Sequence, residues 1–294
     1  MKPKQLKKLL LSEIKLVSEN VNEYCFSEGK DFTRKRKLSF ETVIKTLMGM
    51  ESKSLSNELI TAFDTEPEMP STSAFVQQRY KIKPEAFKAV FDGFTSRLIN
   101  NTSTELRIFA IDGSDIQIAT NPNDATSYFP GTNGQKPYNL LHLNALYDLN
   151  NHIYTDAIIQ GGMDKNEHIA LQEMVDNSDI LKALVIADRG YESFNSMAHI
   201  QEKGWFFLIR VKDGINGIKN GLDLPATDCF DADICLKLTR KQTNEVKELL
   251  KDKNHYRFIS ATQPFDYLPL KNKKSDPTVF YELNNCASHS RYFQ

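Results

Sequence analysis

The sequence has few cysteines, a single tryptophan and no long uncharged apolar run. The four cysteines are widely separated and include no Cys-x2-Cys pair: Cys25, Cys229, Cys235 and Cys286. This pattern argues against a disulfide framework or a structural zinc site, and it favours the reducing cytoplasm. Because no run of about 18 uncharged apolar residues occurs, we expect no membrane contact. The N-terminal residues, MKPKQLKK, lack the apolar segment of a secretory signal.

The composition is that of an ordinary globular protein, but its charges are distributed unevenly. Hydrophobic residues make up 40% of the 294 positions and charged residues 26%, with a formal net charge of −1. Residues 1–53 contain 12 basic and 7 acidic residues, a net charge of +5, whereas residues 101–210 contain 7 basic and 14 acidic residues, a net charge of −7. A basic end beside an acidic middle indicates a polyanion-binding part joined to a part that attracts cations. A chance mosaic of solvated faces is the alternative.

Hydrophobic periodicity divides the chain into four parts. Residues 1–104 have helical spacing, with Ser39 as a predicted N-cap, and predict a helical DNA-binding domain. Residues 105–210 alternate apolar strands with helices, which is typical of an α/β fold with a mixed sheet. Residues 211–283 contain short strand-like segments and predict a β-rich insertion. Residues 284–294 are polar and show neither helical nor strand periodicity, so we expect an irregular tail.

Two aspartates follow apolar strands. We predict a strand over residues 106–111 that ends at Asp112 and forms a hairpin with residues 116–118. A second, buried strand over Ala183–Ala187 ends at Asp188. Ligands bind at the carboxyl ends of such strands, and carboxylates there can bridge two Mg²⁺ or Mn²⁺ ions that support phosphoryl transfer. The alternative is that either aspartate only caps a turn.

Four segments resemble those of DDE transposases of the insertion sequence 4 type. They are residues 31–38 (DFTRKRKL), 109–115 (FAIDGSD), 138–148 (YNLLHLNALYD) and 185–193 (VIADRGYES). Asp-Arg-Gly-Tyr after an apolar strand is a fairly specific motif, and the resemblance covers about residues 30–283. It implies an RNase H-like catalytic core, a β-rich insertion after the strand that ends at Arg210, and metal-dependent cutting and joining of DNA ends.

The resemblance also implies the roles of the acids. Asp112 matches the first catalytic acid and Asp188 the second, and together they would bind Mg²⁺ or Mn²⁺ as the cofactor. Asp115 competes for the first role, but we rank it second because we expect it in the hairpin turn. Glu167 is expected in the solvated first turn of a helix, where acids are favourable. His142 lies in an apolar strand and is expected to be a core histidine.

The third acid of the family is missing from the expected pattern. That acid is a glutamate in a Tyr-x2-Arg-x3-Glu-x6-Lys segment, and nothing after Asp188 matches it. We therefore expect two of three metal ligands, weak metal binding and poor DNA cleavage. A frameshift or an early stop would explain both the missing segment and the polar residues 284–294.

Basic residues are candidate contacts to DNA phosphates, which would make binding strongly dependent on salt. A solvated basic loop is the alternative for those in the helical part. The candidates are Arg34, Lys35, Arg36 and Lys37 in the helical part, and Arg189 and Arg210 beside the acidic site.

The sequence thus leaves three functions open. The first is a transposase that acts on double-stranded DNA, both transposon ends and target, as a homodimer on the bacterial nucleoid. The second is a non-catalytic remnant that binds DNA ends or inhibits an intact transposase. The third is an unrelated metal-dependent phosphohydrolase. The missing glutamate distinguishes the first two functions: if no partner chain supplies it, the non-catalytic remnant is favoured. Activity on small phosphate esters would indicate the third.

Overall fold

The computed structural model describes residues 2–34, 36–64, 69–99, 105–132, 134–212, 217–227, 229–270 and 277–290, with backbone alone for Cys229 and residues 285–290. The chain divides into two compact units, residues 1–100 and residues 101–294, and each is described by itself. Within the described ranges, no helix is long and apolar enough to cross a membrane.

The described part of the first unit is built from helices. These are α1 (Pro3–Glu19), α2 (Phe40–Met48), α3 (Leu55–Phe63), α4 (Thr72–Arg79) and α5 (Glu85–Leu98). Ser39, Ser54 and Ser71 cap α2, α3 and α4, because each serine oxygen accepts a backbone N–H from the first turn. Apolar residues at helical spacing face a shared core that includes Ile14, Val43, Ile44, Leu59, Phe75 and Val90.

The second unit contains a mixed sheet. Its strands are β1 (Arg107–Ile118), β2 (Tyr128–Phe129), β3 (Tyr138–Asp148), β4 (Ile153–Gly161), β5 (Ala183–Ala187) and β6 (Phe206–Ile209). Strand β1 pairs antiparallel with β3 and parallel with β5. Both β2 and β4 pair antiparallel with β3, and β6 pairs parallel with β5. The predicted α/β class with a mixed sheet is therefore confirmed.

Two helices connect the parallel strands of this sheet. Helix α6 (Glu167–Asp176) precedes β5, and α7 (Phe194–Glu202) lies between β5 and β6. Asn166 caps α6, as its side chain accepts the backbone N–H of Ile169 at 3.1 Å. Each helix buries apolar side chains, among them Leu171, Met174, Met197 and Ile200, and the connections through them leave β5 parallel to β1 and β6 parallel to β5.

The predicted hairpin after Ile111 is wrong. Strand β1 continues to Ile118, and residues 109–118 pair with β3 without interruption, from Phe109 opposite Asp148 to Ile118 opposite Asn139. The Asp-Gly-Ser-Asp segment has the composition of a turn, but the long ladder with β3 satisfies its backbone groups and keeps it extended. Asp112 therefore lies within a strand, and Asp115 lies opposite His142 rather than in a turn.

A second, smaller sheet follows β6. It consists of β7 (Cys229–Thr239), β8 (Tyr256–Phe258) and β9 (Tyr281–Ser290), with helix α8 (Asn244–Leu249) between β7 and β8. We call this part the β-rich module. Its core is shared with α7: Phe194, Met197 and Ala198 pack with Leu236, Leu238, Ile259, Phe265, Leu268 and Leu283.

The expectation of an irregular tail is wrong for residues 284–290. These residues continue β9, whose backbone pairs antiparallel with β7 as far as Ser290 opposite Cys229. Backbone hydrogen bonds require no apolar alternation in the strand that forms them, and β9 is an edge strand of its sheet. Residues 291–294 lie outside the described part of the chain.

His199 links α7 to the β-rich module through two carboxylates. The imidazole is 9% exposed, its Nδ1 lies 2.8 Å from Asp176, and its Nε2 lies 3.0 Å from Asp266. Asn195 donates a further hydrogen bond to Asp266 at 2.8 Å. Burial lowers the pKa of His199, but the hydrogen bonds to Asp266 and Asp176 outweigh it and raise this pKa above its usual value.

This arrangement predicts a pH-dependent stability. Because the pKa of His199 is raised in the folded state, its stabilising effect is fully present below about pH 6.5 and is lost as the pH rises through the folded pKa. We expect His199→Gln to lower the free energy of unfolding by about 1–3 kcal/mol at pH 6 and by less at pH 8.5. Urea unfolding at both values measures this. His255→Gln, at an exposed position, is the control, and an equal loss at both pH values would contradict the prediction.

Candidate functional site

Asp112 and Asp188 lie at the same edge of the mixed sheet. The last paired residues of the parallel strands β1 and β5 are Ala110 and Ile186. Asp112 is two residues beyond Ala110, and Asp188 is two residues beyond Ile186. Both side chains belong to exposed residues. The two carboxylates are therefore presented to solvent where the parallel ladder ends, although Asp112 is within its strand rather than at its end.

Each of these carboxylates has one backbone partner. Asp112 Oδ1 accepts the N–H of Gly113 at 2.9 Å, and Asp188 Oδ1 accepts the N–H of Gly190 at 2.6 Å. The second bond makes Asp188 the N-cap of a 3-10 helix over Arg189–Tyr191. Asp188 therefore does cap a turn, which was the alternative to a role as a metal ligand. In the described part of the chain, no ion pair engages either aspartate, and each keeps an Oδ2 without a partner.

The donor chemistry at this edge fits a hard divalent cation. Mg²⁺ prefers oxygen ligands and commonly uses one or two carboxylates together with water and substrate phosphates. Asp112 and Asp188 supply two such carboxylates without a competing cation. Among the residues that the structure describes, no three His, Cys, Asp or Glu side chains are grouped so that they could hold a metal ion. The described residues thus provide two candidate carboxylate ligands and no group of three.

Tyr191 is a buried polar group beside this site; it is the last residue of the Asp-Arg-Gly-Tyr motif, which by itself gives the tyrosine no role. The side chain is 1% exposed, and its hydroxyl has no hydrogen-bond partner among the described residues. Burial, followed by the negative charges of Glu167, Asp112 and Asp188, raises the pKa of Tyr191. The neutral hydroxyl therefore lies in the field of three acids, one of which comes from α6.

Glu167 lies in the first turn of α6, as the sequence predicts, and its half-buried carboxylate also contacts His142. Its Oε1 lies 3.1 Å from Nε2 of His142, a close polar contact without the alignment of a hydrogen bond. The imidazole is 2% exposed, so the expected burial of His142 is confirmed, but the expectation of a fully satisfied histidine is not, because Nε2 has no hydrogen-bond partner among the described residues. A Cβ at Gly113 would lie 2.5 Å from His142 Nε2 and 2.9 Å from Glu167 Oε1, which explains why glycine follows Asp112.

Asp115, the competitor for the first acidic role, is engaged by two partners. His142 Nδ1 lies 2.6 Å from Asp115 Oδ1, and Lys165 Nζ lies 3.1 Å from Oδ2. The hydrogen bond with His142 and that with Lys165 lower the pKa of Asp115. Because its ionised carboxylate is already bound by His142 and Lys165, Asp115 is less suited than Asp112 to bind a further cation.

Arginines flank the acidic edge. Arg189 follows Asp188 directly, and the backbone N–H of Arg210 donates to the carbonyl of Ala187 at 3.2 Å, which places it beside the end of β5. Both residues are exposed. In the helical unit, Arg34, Arg36 and Lys37 are also exposed, whereas Lys35 lies outside the described residues.

The fold and the site define a class: an α/β domain with a pair of carboxylates where the pairing of two parallel strands ends. Residues 103–283 match the family described as transposase DDE domain, and the chain belongs to this family. The resemblance to DDE transposases is thereby confirmed. The family indicates a transposase function with DNA as the substrate, and DDE transposases generally use divalent metal ions. No curated protein matches the chain.

Proposed function

We propose that this chain is a DNA transposase of the insertion sequence 4 type. In this proposal, residues 1–104 bind DNA, residues 105–210 form an RNase H-like catalytic core, and residues 211–283 are an insertion. The strand arrangement supports the proposal: β3 and β4 extend the sheet antiparallel on one side of β1, while β5 and β6 extend it parallel on the other. The proposed substrates are transposon ends and target DNA, bound by a homodimer on the bacterial nucleoid.

The position of Asp112 and Asp188 is the observation that carries this proposal. Both would hold Mg²⁺ or Mn²⁺, and the exposed Arg189 and Arg210 would orient the scissile phosphate near Asp188. Bound divalent ions would activate the attacking water or 3′-hydroxyl and stabilise the leaving oxygen. Tyr191, whose pKa is raised by burial and by the charges of Glu167, Asp112 and Asp188, would remain protonated beside the bound ions.

A second candidate is a non-catalytic DNA-end-binding remnant or an inhibitor of intact transposase. Two observations favour it. The sequence after Asp188 contains no Tyr-x2-Arg-x3-Glu-x6-Lys segment, and the described residues contain no group of three potential metal ligands. With two of three acids, both ions cannot be held at the separation that in-line displacement needs. We therefore propose that this chain, by itself, cleaves DNA poorly.

One experiment tests both candidates. Labelled DNA with the terminal sequence of the encoding element is incubated with the 294-residue chain, and binding and strand cleavage are measured with Mg²⁺ and with Mn²⁺. The double variant Asp112→Asn, Asp188→Asn is the control. We expect end binding by both proteins and little cleavage by either. Absence of end binding would refute the transposase proposal, and cleavage with joining at normal transposase rates would refute the incomplete site.

A further inference from the structure

A basic cavity lies in the helical unit, in the segment between α1 and α2. Its volume is about 330 Å³. Four cationic side chains line it together with Phe32 and Gln78: Lys30, Arg34, Arg36 and Lys81. No acidic residue belongs to this lining within the described chain. A concave surface with several cations and no lining anion focuses positive potential, and so differs from a basic loop spread over a convex surface.

Lys81 is held in position at one wall. Its Nζ donates to Oε1 of Gln78 at 3.2 Å and lies 5.8 Å from the ring centre of Phe32. Gln78 itself is 9% exposed. Asp31 is the nearest carboxylate, 3.9 Å from Lys81 Nζ, and it also accepts the backbone N–H of Ser27. Because Asp31 approaches only at this distance, Lys81 retains donors for a ligand.

The backbone at Phe32 is strained. Its φ is +54°, a left-handed value that is uncommon for a bulky residue. The ring packs edge-on against Phe40 with the ring centres 5.5 Å apart, and Phe40 is 2% exposed. Such strain persists only where the surrounding structure fixes it, and it occurs often at ligand sites. Here it turns the chain so that Lys30 and Arg34 line the same cavity.

We propose that this cavity binds one phosphate group of a DNA backbone. This inference rests on the proposed function, since it names the part of the helical unit that contacts DNA. The cavity is far too small for a duplex, but it suits a single phosphodiester with part of its sugar. Arginine can contact two phosphate oxygens at once, while lysine acts as a point charge. Lys30, Arg34, Arg36 and Lys81 would therefore fix the register of the helical unit on DNA rather than read bases.

Salt-dependent DNA binding by the full chain tests this site. The dissociation constant for terminal DNA is measured by fluorescence anisotropy at several KCl concentrations, for the wild type and for Arg34→Gln, Arg36→Gln and Lys81→Gln. Each phosphate contact contributes about 0.9 to the slope of log affinity against log salt. The double variant Arg34→Gln, Lys81→Gln is measured in the same way. We expect its slope to be shallower than that of the wild type by about 1, and its binding to be about three- to tenfold weaker at 0.1 M salt. Arg36→Gln tests whether Arg36, an exposed residue that also lines the cavity, contributes to the same phosphate contact.

Lys15→Gln is the matched control, because Lys15 is an exposed basic residue of α1 outside the cavity. Its slope should equal that of the wild type. If the wild type binds terminal DNA but the cavity variants behave as Lys15→Gln does, the phosphate site is wrong and the proposed function stands. If the wild type does not bind this DNA, the proposed function itself fails.

Titration with inorganic phosphate, followed by ³¹P NMR line broadening, distinguishes the source of the phosphate. Broadening that the cavity variants abolish, combined with unchanged DNA binding in those variants, would identify a free-phosphate site and overturn the proposal. Parallel losses of phosphate broadening and DNA affinity in the same variants support it.

Discussion

Replacing Asp188 with asparagine is expected to weaken Mn²⁺ binding by tenfold or more. The change removes one of the two carboxylates that lie just beyond the last paired residues of the parallel strands β1 and β5. Even changes outside the set of direct ligands commonly lower metal affinity by about 10- to 100-fold, so the loss of a direct ligand should cost at least as much. Asp112→Asn should have an effect of similar size. Electron paramagnetic resonance of free Mn²⁺ measures both.

Asp115→Asn is the informative control for this prediction. Asp115 is engaged by His142 at 2.6 Å and by Lys165 at 3.1 Å, so its replacement should leave the Mn²⁺ affinity unchanged within about twofold. Circular dichroism would verify that all three variants fold. If Asp115→Asn weakened binding as strongly as Asp112→Asn, the assignment of Asp112 as the first acid would be wrong.

Glu167→Gln is a further variant for the same Mn²⁺-binding measurement. Its charge acts on Tyr191 together with those of Asp112 and Asp188, but its carboxylate lies against His142, with Oε1 3.1 Å from Nε2. A residue that only contributes to the field should change Mn²⁺ affinity much less than the loss of a direct ligand does. Glu167→Gln is therefore expected to weaken Mn²⁺ binding less than Asp188→Asn does.

Local patterns were sufficient for the elements whose ends are fixed by nearby residues. Ser39 was predicted as an N-cap, and its hydroxyl accepts the N–H of Thr42 at 3.1 Å. Asn166 caps α6 in the same way. The five apolar residues Ala183–Ala187 form β5, which has a neighbour on each side. In each case the deciding interaction lies within a few residues or follows directly from burial.

The errors arose where a distant strand decides the local structure. Asp-Gly-Ser-Asp has turn composition, yet residues 112–115 are extended because β3, about thirty residues away in the chain, pairs with them. Residues 284–290 show no strand periodicity, yet their backbone pairs with β7. Composition and periodicity over a short window contain no information about such partners.

In the candidate site, too, the features set by nearby residues could be predicted and those set by distant strands could not. Asp112 and Asp188 could be selected from sequence because each follows an apolar segment. The contact between His142 and Glu167 could not, since it requires the register of β3 against β1 and the return of α6 over the sheet. The only local signal was Gly113, whose missing side chain leaves room for both groups.

Asp148 is expected to have the largest effect on stability. This carboxylate is fully buried and ends β3. Its Oδ1 accepts the backbone N–H groups of Asn150 and Asn151 at 2.8 and 3.0 Å. Its Oδ2 accepts the Asn151 side chain at 2.7 Å and lies 3.3 Å from Arg107 Nη1. One side chain thus closes the β3–β4 turn and ties it to the first residue of β1.

Asp148→Ala should therefore lower the free energy of unfolding by about 3–5 kcal/mol, as expected when one partner of a buried ion pair is removed. Asp148→Asn retains an acceptor for the turn but not the charge, so we expect a smaller loss of about 1–3 kcal/mol. Asp179→Ala, at an exposed position before β5, should change the free energy by less than about 0.5 kcal/mol. Urea unfolding followed by circular dichroism measures all three.

The turn stabilised by Asp148 also contacts β1, the strand that contains Asp112. Asn150 Oδ1 accepts the N–H of Ile108 at 2.8 Å, and the N–H of Leu149 donates to the carbonyl of Ile108 at 2.8 Å. These bonds fix the start of β1, the strand that carries Asp112. Loosening the turn should therefore weaken Mn²⁺ binding in Asp148→Ala even where the protein remains folded. Full Mn²⁺ affinity in a destabilised Asp148→Ala protein would show instead that the pairing of β1 with β3 and β5 positions Asp112 without the turn.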